Sequence, residues 1–156
     1  METLPIPRIE IQVELTLAAA PDRIYDALTK EIAAWWGPPY SCVEQPLDLI
    51  LEGTIGGRFY EIGEDGDAYL WGVITGKKPD ARLEITGNCG MGGLVHGLFT
   101  YDLAPAEAGT QLRLTHKAIG EVTEDMRANW QTGWQDLLDT RLRAFVERGE
   151  RMGLEQ

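Results

Sequence analysis

His116, Glu61 and Arg141 are the residues whose types and positions leave most room for chemistry. His116 falls in the alternating run Gln111 to Ala118, on the face shared by Leu112 and Leu114, so its imidazole is expected to point inward. An inward imidazole is either a core histidine bonded to a backbone or carboxylate group, or a polar anchor or proton acceptor in a cavity. The core reading is the more economical. Arg141 lies on the apolar stripe of the final helix, about one turn past Leu137 and Leu138. Most such arginines lay their stem over apolar surface and keep the guanidinium in water. An enclosed one needs a carboxylate, because an unpaired buried charge is costly. Glu61, on the Phe59 face of its strand, is one candidate partner, and an anionic ligand is another. The Tyr101 hydroxyl has the chemistry to orient a ligand carbonyl, although satisfaction within the fold is the simpler expectation.

Other motifs are weaker. Cys42, Cys89, His96 and His116 are too scattered for metal-ligand spacing, so no metal is expected. The glycine-rich Gly87 to Gly97 precedes a strand rather than a helix and is not a phosphate cradle. A bend in a curved sheet is preferred there over a mobile loop at a cavity mouth. Glu64-Asp65-Gly66-Asp67 lacks the calcium-loop pattern and reads as a solvated hairpin tip. Ser41 has no nucleophile motif. No catalytic residue is assigned, and no cofactor is implied.

Aromatic residues supply the bulk. Trp35, Trp36, Trp71, Trp130 and Trp134 are accompanied by Phe59, Tyr60, Tyr69, Tyr101 and Phe145. Such rings are core by default, yet they also match the lining of an apolar-ligand site with few polar groups.

The elements that must position these residues follow from periodicity. Ile9, Ile11, Val13, Leu15 and Leu17 alternate with polar residues, giving a half-buried strand. Ala20-Pro21-Asp22 opens a helix carrying Ile24, Tyr25, Leu28 and Ile32, which the Trp35 to Pro39 segment stops. Short strands are expected at Leu47 to Leu51, Arg58 to Ile62, Tyr69 to Gly76, Arg82 to Gly87, Leu98 to Leu103 and Gln111 to Ala118. Their tight spacing argues for an antiparallel meander. Thr123 caps a final helix from Glu124 to about Arg148, with Met126, Trp130, Gly133, Trp134, Leu137 and Phe145 on its apolar face. About 25 residues make a rod of about 37 Å. Tryptophans four residues apart beside a glycine make an uneven face, better suited to roofing a cavity than to filling a seam. The order of elements is that of an α+β layer architecture.

Composition narrows the partners. The 156 residues carry 25 acidic and 14 basic side chains, a net charge of −11. That surface repels phosphate backbones and anionic headgroups, so neither nucleic acid nor membrane is expected as a partner. With no signal-peptide pattern and two cysteines in a chain large enough to fold without staples, a reduced, cytoplasmic setting is expected. One domain, 1–156 with its core at about 9–148, is expected from the length.

Several segments resemble the START-like, Bet v 1-like superfamily. They are Ala20 to Thr29, Trp35-Trp36-Gly37, Gly56 to Phe59, Gly72-Val73, Gly109 to Leu112 with Thr115-His116, and Gly133-Trp134. Within it the chain looks most like stand-alone bacterial members related to the C-terminal domain of the activator of heat-shock protein 90 ATPase. The resemblance runs from about Ile9 to Val146. It implies a helix-grip fold, a curved antiparallel sheet of about six to seven strands wrapped around the long C-terminal helix. It does not select an activity, since superfamily members bind apolar metabolites or cyclise polyketides. Eukaryotic co-chaperones of this kind carry a second, N-terminal domain. Only a short segment precedes the first strand here, so chaperone activation is not expected.

The expectation is a protein that binds a small, largely apolar molecule between the last helix and the sheet. Its lining is drawn from Trp35, Trp36, Phe59, Glu61, Trp71 and Tyr101, and from His116, Trp130, Trp134, Leu137 and Arg141. Two alternatives stand beside it. One is a cyclase, aromatase or hydrolase using the same cavity; the other is a chaperone-modulating interaction module. Homodimerisation is left open.

Overall fold

The computed structural model describes residues 5–155. In chain order the elements are β1 (Arg8–Leu17), α1 (Pro21–Thr29), β2 (Pro46–Leu51), β3 (Arg58–Gly63), β4 (Ala68–Lys78), β5 (Arg82–Gly87), β6 (Val95–Ala106) and β7 (Gly109–Gly120). A continuous C-terminal rod follows, made of α2 (Glu124–Gln135), a π-helical segment Asp136–Leu142 and α3 (Arg143–Arg148). The strands form one curved antiparallel sheet in the order β1-β7-β6-β5-β4-β3-β2. Five hairpin connections from β2 to β7 make the meander, and β1 closes it against β7. This is an α+β helix-grip fold.

Alternation sets the inner face. In β7, Leu112, Leu114, His116 and Ala118 are buried, and in β6 Phe99, Tyr101 and Leu103 meet them across the ladder. β4 departs from simple alternation. Its register against β3 jumps from the Phe59–Gly72 pair to the Tyr60–Leu70 pair, leaving Trp71 as an extra residue. Such a bulge re-aims a side chain. Trp71 turns inward, 3% exposed, and stacks on Phe59 at 5.4 Å. Gly72 permits the close approach, since a Cβ there would lie 2.6 Å from the Thr86 carbonyl oxygen.

The first helix is shorter than its apolar spacing predicts. It ends at Thr29, whose hydroxyl donates to the Tyr25 carbonyl, and Ile32–Ala34 form a separate 3₁₀ turn. Bonding back to the preceding turn competes with helix continuation. Residues Gly153 to Glu155 then donate backbone hydrogen bonds to Ala34, Trp36 and Ala33, strapping the C-terminal tail across this connection.

The rod begins as expected, with the Thr123 hydroxyl accepting from the Met126 amide at 3.2 Å. It runs along the edge strand β1, where Gln131 and Arg143 donate to the Gln12 and Thr16 carbonyls. These side chains occupy acceptors that an open edge would offer to another chain. Beneath the rod, Trp134, Leu137, Leu138, Leu142, Ala144 and Phe145 are buried. Much of the room expected there is filled. Trp36, Phe59, Phe99, Tyr101 and Trp134 pack ring to ring through the centre, with centroids 5.1–6.3 Å apart.

Candidate functional site

Open space survives at one end of that aromatic core, beneath Asn129 to Leu137 of the rod. It is a cavity of about 200 Å³. Trp36, Trp71, Trp130, Trp134 and Leu137 supply its apolar lining, and Tyr40, Cys42 and Asn129 contribute polar atoms. Two glycines keep it open. A Cβ on Gly133 would come 3.3 Å from the Tyr40 ring, and any larger side chain would project into the space. Gly90 has φ +86° and a Cβ there would lie 2.2 Å from the Trp71 ring, so both backbone and packing demand glycine.

Behind this lining sits Glu61, 1% exposed. One carboxylate oxygen accepts from the Cys42 and Val43 amides at 2.6 and 2.5 Å, and the other accepts from the Trp71 indole at 2.9 Å. All three contacts are N–H donors, so the carboxyl group serves here only as an acceptor. Glu61 thus fixes both the indole on one wall and the loop on another. It does not pair with Arg141.

Arg141 is enclosed, its side chain only 13% exposed. Its carboxylate partner is Asp136, one turn back on the rod. Nε lies 3.3 Å from Asp136 Oδ2, an ion pair without hydrogen-bond alignment. The guanidinium donates to the Pro38 and Met152 carbonyls at 3.0 and 3.3 Å and lies over the Tyr40 ring. Tyr40 in turn donates its hydroxyl to Asp136 at 2.6 Å. Arg141 therefore fastens the Gly37–Tyr40 loop and the C-terminal tail to the rod, and the solvated arginine expected from its helical position is not what forms. The widened π-helical segment Asp136–Leu142 contains both partners. Arg141→Met is expected to cost about 2 kcal/mol, because the charged donors to the Gly37, Pro38 and Met152 carbonyls are lost; urea unfolding of the variant checks it.

His116 is fully buried at the back of the cluster. Its Nδ1 accepts from the Trp134 indole at 2.9 Å, so the neutral ring carries its proton on Nε2, which has no polar partner. Trp130, on the cavity wall, packs edge-on against it at 5.5 Å. The remaining sequence candidates lie deeper. Trp35 is buried and donates to the Ala27 carbonyl, Phe59 sits behind Trp71, and Tyr101 is buried with its hydroxyl unpartnered.

Titration follows from burial. Desolvation, then the hydrogen bond to Asp136, pushes Tyr40 up to about 12. Desolvation, then the Glu61 charge, pushes the Cys42 thiol up to about 12. Desolvation lowers His116 to about 4, so it is neutral at pH 7. Among the described residues no cluster could hold a metal ion, and Cys42 and Cys89 are free thiols.

Five of the candidates drawn from sequence meet at the cavity: Trp36, Trp71, Trp130, Trp134 and Leu137. Pro39 to Cys42, Gly90 and Asn129 join them without having been singled out as lining. Asn129 was open to inference, adjacent to Trp130 and one turn before Gly133 on the rod. The loop residues had no periodicity to betray them.

Comparison with known proteins agrees with the geometry. The fold is shared with a protein from Rhizobium leguminosarum (21% identity, TM-score 0.69, covering 92% of this chain and 97% of that one). It is shared with the Aha1 dimer from Colwellia psychrerythraea, solved in solution (23%, TM-score 0.67, 90% and 98%). DynU16, from the dynemicin biosynthetic locus, matches at 20% and TM-score 0.70 over 92% of this chain and 49% of its own. A search of curated proteins gave no match. The family model described as Activator of Hsp90 ATPase homolog 1-like protein matches residues 18–147, and the chain belongs to that family.

Proposed function

We propose that the protein binds a small, largely apolar molecule in the cavity beneath the N-terminal half of the rod. The observation that carries this reading is a tryptophan-lined space of about 200 Å³, held open by Gly90 and Gly133. An apolar cavity of about 150 Å³ is enough to take benzene. The ligand portion buried here is therefore a single ring or a branched group of that scale. Burying it contributes roughly 25 cal/mol per Å² of apolar surface.

The lining favours binding over proton transfer. Its titratable groups are Tyr40 and Cys42, both shifted upward away from neutrality. A general acid or base works best with a pKa near the working pH. The Arg141–Asp136–Tyr40 latch further suggests a cavity whose loop wall is held in place rather than rebuilt around each ligand.

Filling the cavity tests the reading. Gly133→Leu adds a side chain where Tyr40 already stands 3.3 Å from the missing Cβ, while leucine improves helix propensity by just under about 1 kcal/mol. Single-ring and branched apolar compounds are expected to stabilise the wild type thermally, and their potency is expected to fall at least about tenfold in Gly133→Leu, which should still fold. Equal response in both proteins would remove the cavity from consideration.

A further inference from the structure

We propose that the outer face of the β2–β3–β4 half of the sheet is a docking surface for another protein, engaging a segment whose apolar side chains are flanked by lysine or arginine. The surface lies across the sheet from the cavity, so it stands independently of the ligand reading.

An antiparallel sheet with one face in water normally turns polar residues outward. One half of this sheet obeys. Outward positions on β5, β6, β7 and β1 carry Arg82 paired with Glu84 and Asp102, and Arg113 paired with Glu14. The β2–β4 half does not. Cross-strand register lines up Ile50, Tyr60 and Leu70 in one row, and Asp48, Ile62 and Ala68 in the next. Leu70 is 52% exposed and Ile62 38%, although alternation gives each an outward position open to a polar residue. Neighbouring apolar side chains left in water and rimmed by polar groups mark a surface that a partner covers.

The rim sets the chemistry of that partner. Asp48 sits opposite Ile62, and Glu64, Asp65 and Asp67 belong to the exposed β3–β4 turn beside the Ile62–Ala68 pair. Among the described residues these carboxylates enter no ion pair. From Glu31 to Gly76 the sequence holds eight acidic residues and a single basic one, Arg58, which is bound through Nε and Nη2 to Glu52. A second copy pressing the same face would set one group of uncompensated carboxylates against another, and a phosphate-bearing surface meets the same repulsion. A segment with basic residues around an apolar centre pairs the rim while covering Ile62 and Leu70. An apolar centre within a polar rim is the ordinary build of a protein interface.

Labelled amphipathic peptides of leucine and lysine, serine and lysine, and leucine and glutamate separate the two requirements. Fluorescence anisotropy with the full chain should show the leucine–lysine peptide binding at least about tenfold more tightly than either of the others. Leu70→Ser and Ile62→Ser, at exposed positions where the fold should persist, are each expected to weaken that peptide at least about fivefold with the charge unchanged. Amide chemical shifts of the wild type should move on β2, β3 and β4 and not along the rod. Equal binding of the serine–lysine peptide, or no effect of either substitution, reduces the attraction to diffuse charge and overturns the proposal. Equal binding of the leucine–glutamate peptide overturns the assignment to a basic partner. Shift changes centred on the cavity lining, or no binding of the leucine–lysine peptide, overturn the docking surface. A wild-type dimer in sedimentation that Leu70→Ser dissociates gives the face to a second copy and overturns the proposal too.

Discussion

Glu61→Leu is expected to lower the free energy of unfolding by about 3 kcal/mol, the largest loss from any single side chain around the cavity. Glu61 is 1% exposed, and the substitution removes the acceptor of the Cys42 amide, the Val43 amide and the Trp71 indole together. Each buried donor left without a partner costs roughly 1–3 kcal/mol. Removing the carboxylate also removes its own desolvation cost, which offsets part of the sum. The donors cannot be replaced along with it, since two of the three are backbone. For a chain near 150 residues the loss corresponds to a fall in Tm of roughly 6–12 °C. Glu61→Gln should fall between, because its amide nitrogen must face a donor. Urea unfolding measures all three proteins, and a loss under about 1 kcal/mol for Glu61→Leu would show that the carboxylate is not the joint between wall and loop.

Glu61 also illustrates what a sequence can and cannot disclose. Its burial was readable, because Phe59 and Glu61 are two apart on a strand and must share a face. Its partners were not. They come from the Cys42–Val43 loop and from Trp71, which faces inward only because a bulge adds one residue to β4 opposite Phe59 and Tyr60. A bulge leaves no mark in a periodic pattern beyond a nearby glycine, here Gly72. Arg141, for which a solvated and an enclosed side chain both stood open, was left undecided for a related reason. Helical spacing put it on the apolar stripe, yet the carbonyls that enclose it belong to Pro38 and Met152, segments without repeating structure. Strands, register faces and the rod were legible because local periodicity determines them. The cavity was legible only on its regular side, where Trp130, Gly133, Trp134 and Leu137 recur at helical spacing.

Acid should destabilise the protein in a window set by His116. The imidazole titrates near 4 in the folded chain, lowered by desolvation, and near 6.5 when unfolded. Above pH 6.5 both states are neutral at this residue and stability does not depend on it. Between 6.5 and about 4 the unfolded chain takes up a proton that the folded chain refuses, so stability falls as pH falls. Below about 4 both states are protonated and the loss is complete. By pH 4.5 the loss amounts to roughly 2.5 kcal/mol. The hydrogen bond from Trp134 explains why no easy escape exists: once Nδ1 is protonated, two N–H groups face each other inside a cage of rings. Exposed carboxylates act elsewhere on the scale. Glu52 is drawn down to about 2 by its hydrogen bonds to Arg58, so its contribution is lost only as pH drops below its unfolded value near 4.5. His116→Gln keeps an acceptor for the Trp134 indole and cannot titrate. Relative to that variant, the wild type should lose roughly 2.5 kcal/mol more between pH 7.5 and pH 4.5 in urea unfolding. If the two proteins run parallel across the window, His116 is protonated without penalty, and the dry, ring-packed interior that surrounds it must admit water.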